Sequence, residues 1–294
     1  MQDRPYVQTY TAVVGNRACN ANCPYCISKM TPCHREDDLT DVNWRNFEAG
    51  ARLARQWGAS TFLITSKGEA TLIPTLVENF IISASPHFPV IELQTNGLRV
   101  ADLEKDNHLT RWYEAGLTTV ALSAVHFFTG PNKALISDRY PPLAETIKLL
   151  KGGRHPFCVR LSIIMTKGLV STVKDVEDAI KWAAENGVDQ LKLYPVTCPK
   201  NTENKEVKDW VEHRQLFTHE LEAIHSILKP HTVIRQLVHG DTVYAYKTDD
   251  METDQNVAFG SCLTESEGND IRQLIYCRDG HVRTSWQYNA AILF

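Results

Sequence analysis

What most constrains this chain is a rhythm. Between residues 6 and 197, short β-branched or aromatic runs alternate with amphipathic stretches, and turn residues separate them. The extended runs are Tyr6–Val14, Thr61–Thr65, Val90–Gln94, Thr118–Ser123, Cys158–Met165 and Gln190–Val196. Helical spacing fits Val42–Trp57, Leu72–Ser83, Ala101–Ala115, Leu143–Lys151 and Val173–Asn186. Gly116 and Gly187 stand just past two of these helices, where a left-handed cap is needed. Strands joined through helices pair in parallel, because the helix carries the chain back to the starting edge of the sheet. Six such units predict an α/β fold, a partial (β/α)6 TIM barrel, although an open doubly wound sheet shows the same pattern.

After Pro199 the rhythm stops. Asn204–Leu228 reads as one long polar-faced helix, Thr232–Tyr246 as extended structure and residues 247–256 as a polar loop. Ile271–Tyr288 alternates apolar and polar residues around Asp279-Gly280, a dipeptide suited to a hairpin turn. The chain is therefore expected to divide into a core barrel, residues 1–199, and a C-terminal α+β extension, residues 200–294, which contains a β-hairpin and caps the active site.

Composition excludes more than it identifies. A formal net charge of −4 over 294 residues provides no general attraction for a phosphate backbone, so a nucleic-acid partner is not expected. No run of 18 apolar residues is present, which argues against a membrane helix, and the first residues lack the pattern of a signal peptide. Eight cysteines then suit ligands or reactive thiols rather than a disulfide framework, and the expected location is cytoplasmic.

The chemistry concentrates at the ends of the extended runs. Cys19, Cys23 and Cys26 follow the first run in the segment CNANCPYC, spaced to wrap three thiolates around one compact metal centre. Three ligands without a regular fourth favour an iron–sulfur cluster with one open iron. Cys33 and His34 keep a tetrahedral zinc site open as an alternative, and simple redox thiols are another.

The spacing CxxxCxxC, with Tyr25 just before the third cysteine, resembles the hallmark of the radical SAM superfamily, and the likeness extends over roughly residues 6–197. The segment SKGEATL, Ser66 to Leu72, is similar to the family's GGEP-type motif. Gly68 and Glu69 match it, while Lys67 and Ala70 replace the usual glycine and proline. QTNG, Gln94 to Gly97, is a common family ending for the third strand. The resemblance implies a 4Fe–4S cluster on the three cysteines and S-adenosylmethionine (SAM) chelated to its fourth iron. Reductive cleavage would yield a 5′-deoxyadenosyl radical that abstracts hydrogen from substrate, with an external electron donor such as flavodoxin or ferredoxin.

For SAM the resemblance implies Tyr25 near the adenine, and Gly68, Glu69 and Ala70 around the methionine amino group. It implies Ser123, Arg160 and Ser162 toward ribose or carboxylate, and the backbone near Leu193 against the adenine. Glu69 is equally well placed to favour a helix dipole, and Tyr25 to pack a loop. Lys67, Gln94, His126, Lys192 and Tyr194 remain as substrate or catalytic candidates, although His126 also suits a surface or cap position. Trp286 and Tyr288 read as core aromatics of a small sheet or as part of a lid. Cys198, Cys262 and Cys277 read as ordinary thiols, so a second cluster is not expected. The expected function is hydrogen abstraction from a small polar metabolite such as a nucleoside, nucleotide or sugar. Modification of a peptide or protein side chain is the alternative within the superfamily; a zinc or redox-thiol binding protein is the alternative outside it.

Overall fold

The computed structural model describes residues 5–31, 41–199, 202, 204–237, 241–260 and 270–294. Strands β1 (Val7–Val14), β2 (Thr61–Ser66), β3 (Val90–Thr95), β4 (Thr119–Ala124), β5 (Cys158–Met165) and β6 (Gln190–Pro195) lie side by side in chain order, all parallel. The crossovers carry α1 (Trp44–Gln56), α2 (Pro74–Ala84), α3 (Val100–Lys105), α4 (His108–Ala115), α5 (Thr129–Leu135), α6 (Leu143–Lys151) and α7 (Val173–Glu185). The helix expected over Ala101–Ala115 is thus broken into α3 and α4. Asn107 sits between them at φ 61, a left-handed conformation that asparagine tolerates better than most residues.

The single helix expected over Asn204–Leu228 is also two, α8 (Lys205–Arg214) and α9 (Thr218–Leu228). Gln215 is extended, the Lys167 N–H takes up the Arg214 carbonyl at 2.8 Å, and the Glu220 carboxylate accepts from the Phe217 N–H at 2.6 Å to start the next helix. Strands β7 (Thr232–Gln236) and β8 (Thr242–Tyr246) form an antiparallel pair within the expected extended segment. Next comes β9 (Gln255–Phe259), whose first two residues fall in the expected polar loop and which pairs parallel to β6. β10 (Ile271–Tyr276) turns through Asp279-Gly280 into β11 (Val282–Arg283), but that hairpin is short; the long pairing of β10 is parallel to β1. The C-terminal segment therefore extends the sheet at both edges. The order is β11-β10-β1-β2-β3-β4-β5-β6-β9-β8-β7, an unclosed partial barrel.

Apolar packing lies between the sheet and its helices. The Phe47 ring of α1 is 5.5 Å from Tyr10, 5.6 Å from Phe62 and 5.2 Å from Phe80, and the buried Tyr10 hydroxyl donates to the Phe47 carbonyl at 2.9 Å. The concave face is different. Along β5, Val159, Leu161, Ile163 and Met165 are fully buried toward the helices, while Arg160, Ser162 and Ile164 alternate with them, half-buried. β6 repeats the pattern, with Leu191 and Leu193 outward and Gln190, Lys192 and Tyr194 inward. Register arranges the inner residues in layers: Ser123, Ser162 and Lys192 in one, with Gln94, Ala121, Arg160 and Gln190 in the layer below.

A polar chain crosses the lower part of this lumen. Arg160 pairs with the buried Glu92 of β3 and donates to Gln190 Oε1 at 2.6 Å, and Gln190 donates to Asn256 Oδ1 of β9 at 2.7 Å. Removing the guanidinium strands a buried carboxylate, so Arg160→Met is expected to cost about 3–5 kcal/mol. Adding Glu92→Leu is expected to restore most of that loss. Urea unfolding of the single and double variants measures both, and a double variant no more stable than the single one would contradict the pairing argument.

Candidate active site

The strand ends and the loop after β1 are built into one unit. Gly15 turns the chain out of β1 at φ 70, and the Ala18 N–H then donates to Asn16 Oδ1 at 2.8 Å. The Glu69 N–H, at the end of β2, donates to the Ala18 carbonyl at 2.9 Å. Asn96, past β3, donates through Nδ2 to Asn20 Oδ1 at 2.8 Å. The Asn22 N–H reaches the Ile136 carbonyl at 3.1 Å, in the connection after β4. Lys29 closes the loop on itself, donating to Asn22 Oδ1 at 2.8 Å and to the Cys23 carbonyl at 3.1 Å. The loop is thereby held over the C-terminal ends of β2, β3 and β4.

Its three thiols are free, Cys19 exposed and Cys23 and Cys26 half-buried. Burial raises the Cys19 thiol, and the nearby Glu69 and Cys26 add to it against hydrogen bonds from Ala21 and Asn96. Burial pushes Cys23 up to about 11; the Tyr25 hydroxyl opposes this, and Cys26 and Cys19 reinforce it. Cys19 and Cys23 therefore resist ionising, whereas a bound cationic centre would turn such thiols into thiolates. Among the described residues no three His, Cys, Asp or Glu side chains converge on a single metal ion. A cluster asks for a wider arrangement, since each cysteine is bonded to a different iron.

The Gly68-Glu69 turn packs against the same loop. A Cβ at residue 68 would overlap the Ala18 carbonyl oxygen, so only glycine lets the β2 turn lie against the cysteine loop. Glu69, 6% exposed, accepts at Oε1 from Thr71 N (3.1 Å), Thr71 Oγ1 (2.7 Å) and Thr95 Oγ1 (2.7 Å), and at Oε2 from Asn96 N (2.9 Å). Ala70 is buried at the start of the 3-10 turn that Glu69 caps. Tyr25 is buried as well, its ring 5.6 Å from Trp210 of α8.

The other residues singled out in the sequence occupy different levels. Ser123 and Ser162 share a layer on the inner wall, and neither hydroxyl bonds to a described residue. Arg160 lies one layer lower, held by Glu92 and Gln190. Leu193 points its side chain at the helices, and its carbonyl accepts from Gly260 N at 3.4 Å. Lys67 is buried, donating to Thr31 Oγ1 at 2.5 Å and standing 5.4 Å over the Trp286 ring. Trp286 itself packs on Val13, Ile275 and Cys277 and donates to Gln273 at 2.6 Å, while Tyr288 is largely exposed. Lys192 pairs with Asp241 at 2.8 Å and lies 5.8 Å from the Tyr194 ring.

His126 caps a turn: Nδ1 accepts from the Phe128 N–H at 3.0 Å, its ring lies 4.3 Å from Phe127, and burial lowers its pKa against Asp175. Asn132 fixes that turn, accepting from Val125 N at 2.9 Å and donating to the carbonyls of His126 at 2.6 Å and Phe128 at 2.8 Å. Nothing local in the sequence marks Asn132, Trp210 or Asp241; Asn96 stands inside the QTNG motif, which assigns it no role of its own. The Cys198 thiol approaches the Met30 sulfur at 3.6 Å, and Cys277 is buried beneath Trp286. Cys33, His34 and Cys262 lie outside the described residues.

The unclosed barrel, with three thiols on the loop over the C-terminal ends of its parallel strands, places the chain among partial-barrel α/β proteins. The sequence pattern of the radical SAM superfamily matches residues 13–212, and the chain belongs to that superfamily. Family membership supports an enzyme. No curated protein matches it in sequence. Among solved structures, SuiB of Streptococcus suis bound to S-adenosylmethionine superposes with a TM-score of 0.56 at 14% identity, covering 95% of this chain and 60% of SuiB. SuiB bound to precursor peptide SuiA gives a TM-score of 0.51 at 15% identity, over 95% and 59%. Methylornithine synthase (PylB) gives 0.52 at 13% identity, over 77% of this chain and 63% of its own. The chain spans about three fifths of the length of these proteins, and at such identities the likeness concerns the fold. Among the described residues no helix is long and apolar enough to cross a membrane.

Proposed function

We propose that Cys19, Cys23 and Cys26 hold a single 4Fe–4S cluster and that the chain acts on a small polar metabolite. When bound, the cluster and SAM supply one-electron cleavage of the sulfonium bond and hydrogen abstraction from the substrate, with the electron taken from an external donor such as flavodoxin or ferredoxin. The observation that carries this reading is the cysteine loop tied to the ends of β2 and β3 through Ala18, Glu69, Asn20 and Asn96. Gly68 and the carbonyls of its turn provide close backbone approach for the methionine ammonium, and Glu69 fixes the shape of that turn. Tyr25 and the backbone near Leu193 border the adenine, and the hydroxyls of Ser123 and Ser162, without a partner among the described residues, offer donors to ribose or carboxylate. Arg160 supports this wall from below through Glu92.

The small-metabolite reading rests on the rest of the polar lumen: Gln94 and Lys192, which are not assigned to SAM, suit a substrate rich in oxygen, as nucleosides, nucleotides and sugars are. Residues 200–294 serve as the segment that completes the wall and narrows access, and the oxygen-sensitive centre suits the cytoplasm. A peptide substrate is the second reading. Phe128, 59% exposed just past β4, and Phe217, 57% exposed beneath the Lys167 ammonium, offer separate ring contacts for a peptide, and SuiB was solved with a precursor peptide.

Anaerobic reconstitution followed by iron, sulfide and 5′-deoxyadenosine measurement tests both parts. About four irons with nucleoside release stimulated by a metabolite pool is the expected result. Stimulation by a peptide digest alone would shift the substrate class, and zinc without SAM cleavage would overturn the reading.

A further inference from the structure

The inner wall carries two cations, and each has its counter-charge set back in the wall. Arg160 of β5 pairs with Glu92 of β3, and Lys192 of β6 pairs with Asp241 Oδ2 at 2.8 Å. The two carboxylate side chains are 4% and 6% exposed, the two cations 29% and 21%. Both cations stand on the inner face of strands whose outer residues, Leu161 and Leu191, are sealed under the helices, so what they expose is lumen surface. The wall thus hides its anions and presents its cations.

Both cations also have donors left over. A guanidinium carries five N–H groups, and Glu92 and Gln190 engage Arg160 only at Nη1 and Nε. An ammonium carries three, of which Asp241 takes one. Arg160 is level with Gln190 and Ser162 with Lys192, so the two cations are diagonal neighbours on adjacent strands, a separation that long side chains span. On the other side of Arg160, across the small Ala121, the exposed Gln94 amide stands in the same layer. Arg160 and Gln94 lie one layer below Ser123 and Ser162, the hydroxyls proposed for SAM, so the ligand they face is the substrate.

We propose that Arg160, Lys192 and Gln94 form the anchor for a phosphate monoester on the substrate. The guanidinium edge and the ammonium meet the ligand from two different layers. A phosphate has three terminal oxygens in a pyramid, enough to serve the fork, the ammonium and the Gln94 amide together. A carboxylate has two oxygens in one plane and is filled by the fork alone. Glu92 and Asp241 hold the cations in position before the ligand arrives, which lowers the cost of ordering them on binding. The assignment rests on the radical SAM reading only in placing the substrate inside the lumen.

Anaerobic calorimetric titration of the reconstituted, SAM-loaded, unreduced protein in phosphate-free buffer tests it with three probes: D-ribose 5-phosphate, the neutral D-ribose and the carboxylate D-ribonate. Ribose 5-phosphate is expected to bind at least about tenfold more tightly than either of the others. The double variant Arg160→Met, Glu92→Leu loses the cation together with its buried partner, and is expected to bind ribose 5-phosphate at least about tenfold more weakly than the unaltered protein. Equal binding of ribose and ribose 5-phosphate, ribonate bound as tightly as the phosphate, binding of none of the three, or full affinity in the double variant would overturn the proposal. Should the double variant not fold, the comparison among probes on the unaltered protein decides alone. Release of 5′-deoxyadenosine by the unaltered protein is scored separately. Probe discrimination without SAM cleavage would keep the anchor and remove the functional reading, and SAM cleavage without discrimination would do the reverse.

Discussion

Cys19→Ala, Cys23→Ala and Cys26→Ala are each expected to reduce 5′-deoxyadenosine formation to the background without enzyme, and to do so equally. The equality follows from the role proposed for them: each thiolate bonds a different iron, so no one of them substitutes for another. Stability responds little by comparison. Cys19 is exposed and Cys23 and Cys26 are half-buried, so truncation removes only modest apolar contact, about 1 kcal/mol or less. The loop keeps its main anchors, because the Glu69 N–H donates to the Ala18 carbonyl, Asn96 Nδ2 to Asn20 Oδ1 and the Asn22 N–H to the Ile136 carbonyl, and Cys19→Ala gives up only the long 3.9 Å contact from Asn96 to Sγ. Cys198→Ala and Cys277→Ala provide the contrast. Burial pushes the Cys277 thiol up to about 11, and Cys198 lies against Met30, environments that keep a thiol neutral and unavailable as a ligand. Iron per chain is expected to fall in the first three variants and stay unchanged in the last two. Loss of about half the iron in Cys198→Ala or Cys277→Ala would point instead to a second cluster.

The sequence displayed its local chemistry well and its long-range pairing poorly. The six parallel strands were legible because each is a β-branched run between turn residues, and the helix now seen at Val173–Glu185 begins on Thr172 with Asp175 completing a capping box. Asn107 was not legible as a break, since asparagine in a helical pattern gives no warning that it will turn left-handed. β10 looked like half of a local hairpin. Its main partner is β1, and the Tyr6 N–H donates to Asp270 Oδ1 at 3.2 Å across nearly the whole chain, a contact no window of local periodicity contains. The same limit applied to the site. CxxxCxxC and Gly68-Glu69 announced themselves by residue type and spacing. Arg160 announced only its charge; that Glu92 would neutralise it from two strands away depended on register. Asp241 lies in an extended run whose neighbour, β9, begins inside a segment that reads as polar loop.

Glu69→Gln is expected to separate binding of SAM from binding of the cluster. The carboxylate accepts four hydrogen bonds, and the one at Oε2 comes from the Asn96 backbone. An amide retains one carbonyl oxygen, which can still serve Thr71 and Thr95, but sets an NH2 group against the Asn96 N–H. Two donors then face each other in a buried site and a charge-assisted bond is lost, at a cost of about 2–3 kcal/mol. Asn96 also connects the bracket to the cysteine loop, with its Nδ2 2.8 Å from Asn20 Oδ1 and 3.9 Å from Cys19 Sγ, so a displaced Asn96 disturbs the turn where the methionine end of SAM would sit. The Gly68 contact with Ala18 and the Asn22 bond to Ile136 do not depend on the carboxylate and keep the three thiols in place. Iron content is therefore expected to stay near that of the unaltered protein, while SAM affinity falls at least about tenfold and the urea midpoint shifts down. Glu69→Ala, which leaves all four donors without an acceptor, is expected to lose more stability than the glutamine variant and part of its iron as well. If Glu69→Gln unfolds like the unaltered protein and binds SAM as tightly, the carboxylate is not the bracket between β2 and β3 that its four bonds describe.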